Sequence, residues 1–166
     1  TVGTQIEMQS AGLIAVDLNA ARAREWALPL VAREWNSLDP EKAAVLLRSE
    51  QGALDDQTGL YRDLQMRGVA LAWVMVDAKE SAPAAAQIDD PAVRAWTFRE
   101  LATLSGDESF FDKAAEAARA IDDPVQQVRA LREVAVASGQ KALFSEALVT
   151  LDVVDGASLA YALSDL

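Results

Sequence analysis

The chain has 166 residues, with 15 Lys and Arg against 26 Asp and Glu, a formal charge of -11, and neither His nor Cys. Without those two side chains there is no imidazole or thiolate chemistry, no disulfide, no haem attachment and no structural zinc site, so catalysis would fall to carboxylates, Lys, Tyr or Ser. The acid surplus repels phosphate backbones, which argues against nucleic acid, and the longest wholly apolar run, Val69 to Val76, falls far short of the roughly 20 residues that span a bilayer.

Ala accounts for 33 residues, beside 8 Gly and 5 Pro, a density that favours packed helices over strands. The predicted fold class is all-α. In the looser N-terminal part, Val31-Ala32 with Trp35 and Asp39 parallels Val69-Ala70 with Trp73 and Asp77. That parallel puts Trp35 and Trp73 at equivalent ends of helices and predicts a shared packing role for them. Asp39-Pro40-Glu41 opens a helix that Gly52 ends, and Ser81 with Pro83 is expected to open another.

From there the chain repeats itself. Ile88-Asp89-Asp90-Pro91 recurs 33 residues later as Ile121-Asp122-Asp123-Pro124, and the same shift carries Arg99-Glu100 onto Arg132-Glu133, Ser105-Gly106 onto Ser138-Gly139, Phe111 onto Phe144 and Ala114 onto Ala147. Each unit reads as two helices. Asp90 caps the first, Pro91 takes its first position, Gly106 stops it and Asp107 recaps. Phe110, Phe111, Ala114, Ala117, Ala118 and Ile121 then form the buried face of the second helix. In the next unit Asp123, Pro124 and Gly139 repeat the brackets, and Leu143, Phe144, Ala147, Leu148, Leu151 and Val154 make the expected buried stripe. A shift of 32 backwards extends the pattern to Arg67-Gly68-Val69-Ala70, with Leu54-Asp55-Asp56 as a weaker opening.

The expected organisation is one helical-repeat domain over 1–166: irregular units over 1–56, clearer repeats over 57–90, 91–123 and 124–156, and a terminal helix over 157–166. Thr1 rather than Met leads the sequence, so an upstream segment is expected, and a cytoplasmic or an exported setting both fit.

The units resemble tetratricopeptide-type repeats, in which a small residue in the first helix is followed by an aromatic near the start of the second and Ala three positions later. Ala102, Phe111 and Ala114 match that pattern, as do Ala135, Phe144 and Ala147. In another register Asp90-Pro91-Ala92-Val93-Arg94 is similar to the Asp-Pro-x-Val-Arg stretch of HEAT repeats. The resemblance implies an α-solenoid of stacked antiparallel hairpins that binds proteins through a groove lined by first helices.

Two constellations invite a functional reading. The Asp pairs 55/56, 89/90 and 122/123 could hold a cation, but they stand where helix caps are needed and lack the calcium-loop spacing of acids, so neither metal nor cofactor is expected. On a helical wheel Trp96, Arg99 and Thr103 share one flank, which repeats as Arg129, Arg132 and Val136 and, 32 residues earlier, as Leu64, Arg67 and Leu71. Trp96 corresponds to Arg129, so the position is not expected to be fully buried. By the resemblance Arg67, Leu71, Trp96, Arg99, Thr103, Arg129, Arg132 and Val136 would line a groove for a protein or peptide, with an acidic one matching the guanidinium groups. The plainer alternative is that each Arg pairs with a local acid such as Glu100 or Glu133. The expected function is a non-enzymatic interaction scaffold. Self-assembly into a homo-oligomer through open repeat ends is the alternative, and a carboxylate-dependent enzyme is the remote one.

If the register is right, Ala114 sits at a close helix contact. Ala114→Leu should then overpack it and lower stability by about 1 to 3 kcal/mol, read as a lower denaturation midpoint.

Overall fold

A computed structural model describes the backbone of residues 2–151 and the side chains of residues 19–151. Among the described residues there are eight helices and no strand: α1 (Val2–Leu38), α2 (Pro40–Gly52), α3 (Leu60–Val76), α4 (Ala78–Ala86), α5 (Pro91–Ser105), α6 (Ser109–Arg119), α7 (Pro124–Ser138) and α8 (Lys141–Leu151). The all-α expectation holds. The terminal helix expected over 157–166, and Val154 of the last stripe, lie outside the described residues.

The helix boundaries follow from backbone chemistry. The Asp90 carboxylate accepts the N–H groups of Ala92 and Val93 at 2.8 and 2.9 Å, and Asp123 accepts those of Val125 and Gln126 at 2.8 and 3.3 Å. Pro91 and Pro124 follow at the first helical position, where a missing N–H removes nothing. Both helices end on a left-handed glycine, Gly106 at φ 72° and Gly139 at φ 71°, whose N–H bonds the carbonyls of Ala102 and Ala135. As a result α5 and α7 are each 15 residues long and α6 and α8 each 11.

The chain divides between Gln87 and Ile88 into two compact units. In the first, α3 packs against α1, α2 and α4, and Leu47, Met66, Val69 and Trp73 fill the interior. In the second, α5 packs on α6 and α7, and α7 on α8. Its core joins Val93, Ala95, Phe98 and Leu101 of α5 to Phe110, Ala114 and Ala118 of α6 and to Leu131 and Val134 of α7, with the Phe98 and Phe110 rings stacked at 6.2 Å between centroids. The buried faces expected for α5 and for the Ala-rich α6 are both present.

Four expectations need correction. Helix α4 opens at Ala78, not at Ser81, because Asp77 is extended (φ -148°) and its carboxylate accepts the Lys79 N–H; Ser81 is buried inside the helix with its hydroxyl donating to Ala78 O, and Pro83 also lies within it. The Asp55-Asp56 pair precedes a turn, and Gly59 rather than an Asp stands at the start of α3. Trp35 and Trp73 differ: Trp73 is buried, with its indole N–H donating to Gln51 Oε1 and the Arg48 guanidinium over its ring, whereas Trp35 is exposed. On α8 only Leu143 and Ala147 of the expected stripe are buried, while Phe144 and Leu148 face solvent, because α7 covers one side of α8 alone.

One contact governs the first unit. A Cβ added to Gly68 would come within 2.8 Å of Glu25 Cα and 3.1 Å of Glu25 O, so α1 and α3 touch backbone to backbone there. Beside that contact Arg67 and Glu25 form an ion pair with side chains only 15% and 7% exposed. Alanine gains up to about 1 kcal/mol in helix propensity over glycine. Overpacking against a helix backbone outweighs this, so Gly68→Ala should destabilise by about 1 to 2 kcal/mol on balance. Gly52→Ala, which meets nothing within 4 Å, should be neutral or slightly stabilising. Chemical denaturation of both variants checks the contrast.

Candidate functional site

Helices α5 and α7 lie side by side in the second unit and carry the flank identified from the sequence. On α5, Trp96 is 38% exposed, Thr103 is exposed with its hydroxyl donating to Arg99 O, and Arg99 is half-buried. On α7, Val136 is 69% exposed, the Arg129 side chain reaches solvent and Arg132 is half-buried. The two helices are joined by charge. The Arg99 guanidinium donates to Glu133 Oε2, and Arg129 Nε lies 3.6 Å from Glu133 Oε1 one turn along the same helix. One carboxylate therefore stands between two guanidinium groups, and Glu133 is the local acid that the plainer alternative named.

The remaining two residues sit elsewhere in the packing. Arg67 is engaged with the buried Glu25 and Leu71 is only 6% exposed, because α1 lies along α3 in the first unit. The 32-residue shift aligns the sequence correctly, yet a helix covers the flank of α3 while the same flank of α5 and α7 keeps Trp96 and Val136 in solvent. The structure thus brings together Trp96, Arg99, Thr103, Arg129, Arg132 and Val136, and it puts Arg67 and Leu71 among core contacts.

Elsewhere the charged groups serve helix ends and helix-to-helix ties. Asp107 accepts the Ser109 N–H at 3.0 Å, and hydrogen bonding from Ser109 holds its carboxyl below the ordinary range. Arg119 of α6 grips Glu146 of α8 through two bonds, Nε to Oε1 at 2.6 Å and a terminal nitrogen to Oε2 at 2.8 Å. That bidentate contact lowers the Glu146 pKa and raises that of Arg119, with desolvation opposing both shifts. Among the described residues no group of three or more acids converges in a way that could hold a metal ion. A cleft lined by Arg24, Leu28, Glu50, Leu54, Gln65 and Val69 has room for about one water.

Sequence reasoning missed the solvent face of α1. Trp26 is 72% exposed and Leu38 83%, and Leu30, Val31 and Trp35 are exposed with them. The signal was present: apolar residues over 26–38 run around most of the helix circumference, more than one buried face needs.

No protein-family model, curated protein or solved structure matches this chain. Among the described residues no helix is long and apolar enough to cross a membrane.

The Arg119–Glu146 pair yields a pH prediction. Glu146 has a lowered folded-state pKa, so its contribution is present above the unfolded carboxylate value of about 4.3 and is lost as the pH falls through the folded value. Both side chains are more than a third exposed or close to it, so the pair is worth no more than about 1 kcal/mol. Glu146→Gln should melt slightly below the parent at neutral pH and converge on it in acid, as followed by thermal denaturation across the pH range.

Proposed function

We propose that the protein is a non-enzymatic interaction module of the α-solenoid, tetratricopeptide-like kind, and that the adjoining flanks of α5 and α7 receive an acidic peptide segment. The repeat reading is supported by the equal lengths of α5 and α7 and of α6 and α8, and by the same Asp-Pro opening and left-handed Gly close in both hairpins. The peptide reading rests on one observation: Trp96 and Val136 are exposed beside Arg99, Arg129 and Arg132 in a chain of net charge -11. Three guanidinium groups around Glu133 leave this patch with a positive bias that the rest of the molecule lacks, and Trp and Arg are the side chains that most often dominate binding. An incoming carboxylate would pair with guanidinium while an apolar neighbour covered the Trp96 ring.

Self-assembly through α8 is a second reading, favoured by Leu148 at 64% exposure. Its counterpart by the 33-residue shift, Ala115, is buried.

Panning a displayed random-peptide library tests the first reading. Enriched sequences should carry Asp or Glu around one apolar residue, and the Trp96→Ala/Arg129→Glu double variant should lose them while keeping its helical signal and melting point, since exposed substitutions shift stability by no more than about 0.5 kcal/mol. Enrichment that survives the double variant would overturn the assignment to this flank.

A further inference from the structure

The solvent face of α1 is the largest apolar feature that the folded chain leaves uncovered. At 100° per residue, Ala21, Glu25, Leu28, Pro29, Ala32 and Asn36 make the inward side, where Ala21, Glu25 and Ala32 are buried and Asn36 donates from its side chain to Met75 O. The outward side carries Trp26, Leu30, Val31, Trp35 and Leu38, with the small Ala23 and Ala27 along its middle. A solvated helix normally turns charge outward, but here the helix is apolar on both sides.

We infer that this face is where a second copy of the chain docks, α1 against α1 in antiparallel register. Three observations select that occupant. The first is area: two tryptophans and three aliphatic side chains leave on the order of 500 Å² of apolar surface, and with their polar neighbours this approaches the roughly 800 Å² per partner of a specific interface. The second is self-complementarity. A two-fold axis between Leu30 and Val31 sets Trp26 of one copy near Trp35 of the other and Leu38 over Ala23, so large residues meet small ones and the tryptophans stack at both ends. The third is charge. The chain carries -11, but residues 19–38 hold Arg22, Arg24 and Arg33 against Glu25 and Glu34, and Arg24 and Arg33 are already paired with Glu50 and Glu34. Two copies that repel over most of their surface can approach through this strip.

This gives the dimer a distinctive salt response. Apolar contact holds it and net acidity opposes it, so screening strengthens it. Raising salt from about 0.1 M to about 1 M shortens the screening length from about 10 Å to about 3 Å and should tighten association, whereas acidic-peptide capture by Arg129 and Arg132 should weaken. The inference is independent of the α5 and α7 flank.

Sedimentation velocity over a concentration series at both salt levels tests it. The weight-average mass should climb toward twice the 17.8 kDa of the chain, at lower concentration in high salt. Leu30→Glu/Leu38→Glu, on side chains that face solvent, should weaken association by about tenfold or more with an unchanged helical signal. A Trp26→Phe/Trp35→Phe pair should abolish any concentration-dependent shift in tryptophan emission while keeping the dimer. A chain that stays monomeric throughout, association that survives the double Glu variant, or association lost instead on Leu148→Glu would each overturn the inference, the last in favour of assembly through α8.

Discussion

Four of the eight described helices start on the same contact, an aspartate carboxylate accepting backbone N–H groups of the first turn: Asp39 for α2, Asp77 for α4, Asp90 for α5 and Asp123 for α7. The first N–H groups of a helix have no partner within it, and the carboxylate supplies one while matching the positive end of the helix dipole. Everything else in the second unit is registered against these starts. Once Asp90 and Asp123 fix where α5 and α7 begin and Gly106 and Gly139 fix where they end, Leu101 and Val134 fall on equivalent inward positions, and the short turns leave α6 and α8 little choice but to fold back. The paired acids that look like a chance for metal chemistry are occupied by this task at Asp90 and Asp123.

The first unit is held differently. Its helices lack the Gly brackets, and its organising contact joins residues far apart in sequence, Gly68 on Glu25. The ion pair beside it is enclosed, and a buried pair is a matter of mutual dependence: removing either partner strands the other's charge in a poor solvent, so Glu25 and Arg67 demand each other whatever the net worth of the pair. Asn36 adds a tie from α1 to the end of α3.

This difference explains what could be read from the residues. Helix class, the Asp-Pro starts at 39, 90 and 123, both glycine stops, and the inward faces of α5 and α6 were legible because each depends on neighbours within a few positions. The fates of Trp35, Leu71 and Arg67 were not, since they depend on which helix lies across them. A 32-residue shift finds Arg67 and Leu71 correctly as homologues of Arg99 and Thr103, but periodicity within one helix cannot say that α1 covers the flank of α3. Likewise Phe144 repeats Phe111 in sequence and differs from it in exposure, because solvent access depends on what packs against α8. For the candidate site, residue identity and spacing were legible, while the role of Glu133 as the bridge between α5 and α7 required the fold.

The reach of the Gly68 contact also has a temporal side. Helix α1 ends at Leu38 and its cover, α3, is complete only at Val76. At about 5 to 20 residues per second, a ribosome leaves the two-sided apolar helix waiting several seconds for the strip of backbone it must touch. The second unit has no such delay, because each hairpin there closes on its immediate neighbour. In a growing chain the earliest helix is thus the last to lose its exposure, which makes α1 the segment most in need of a holding chaperone during synthesis.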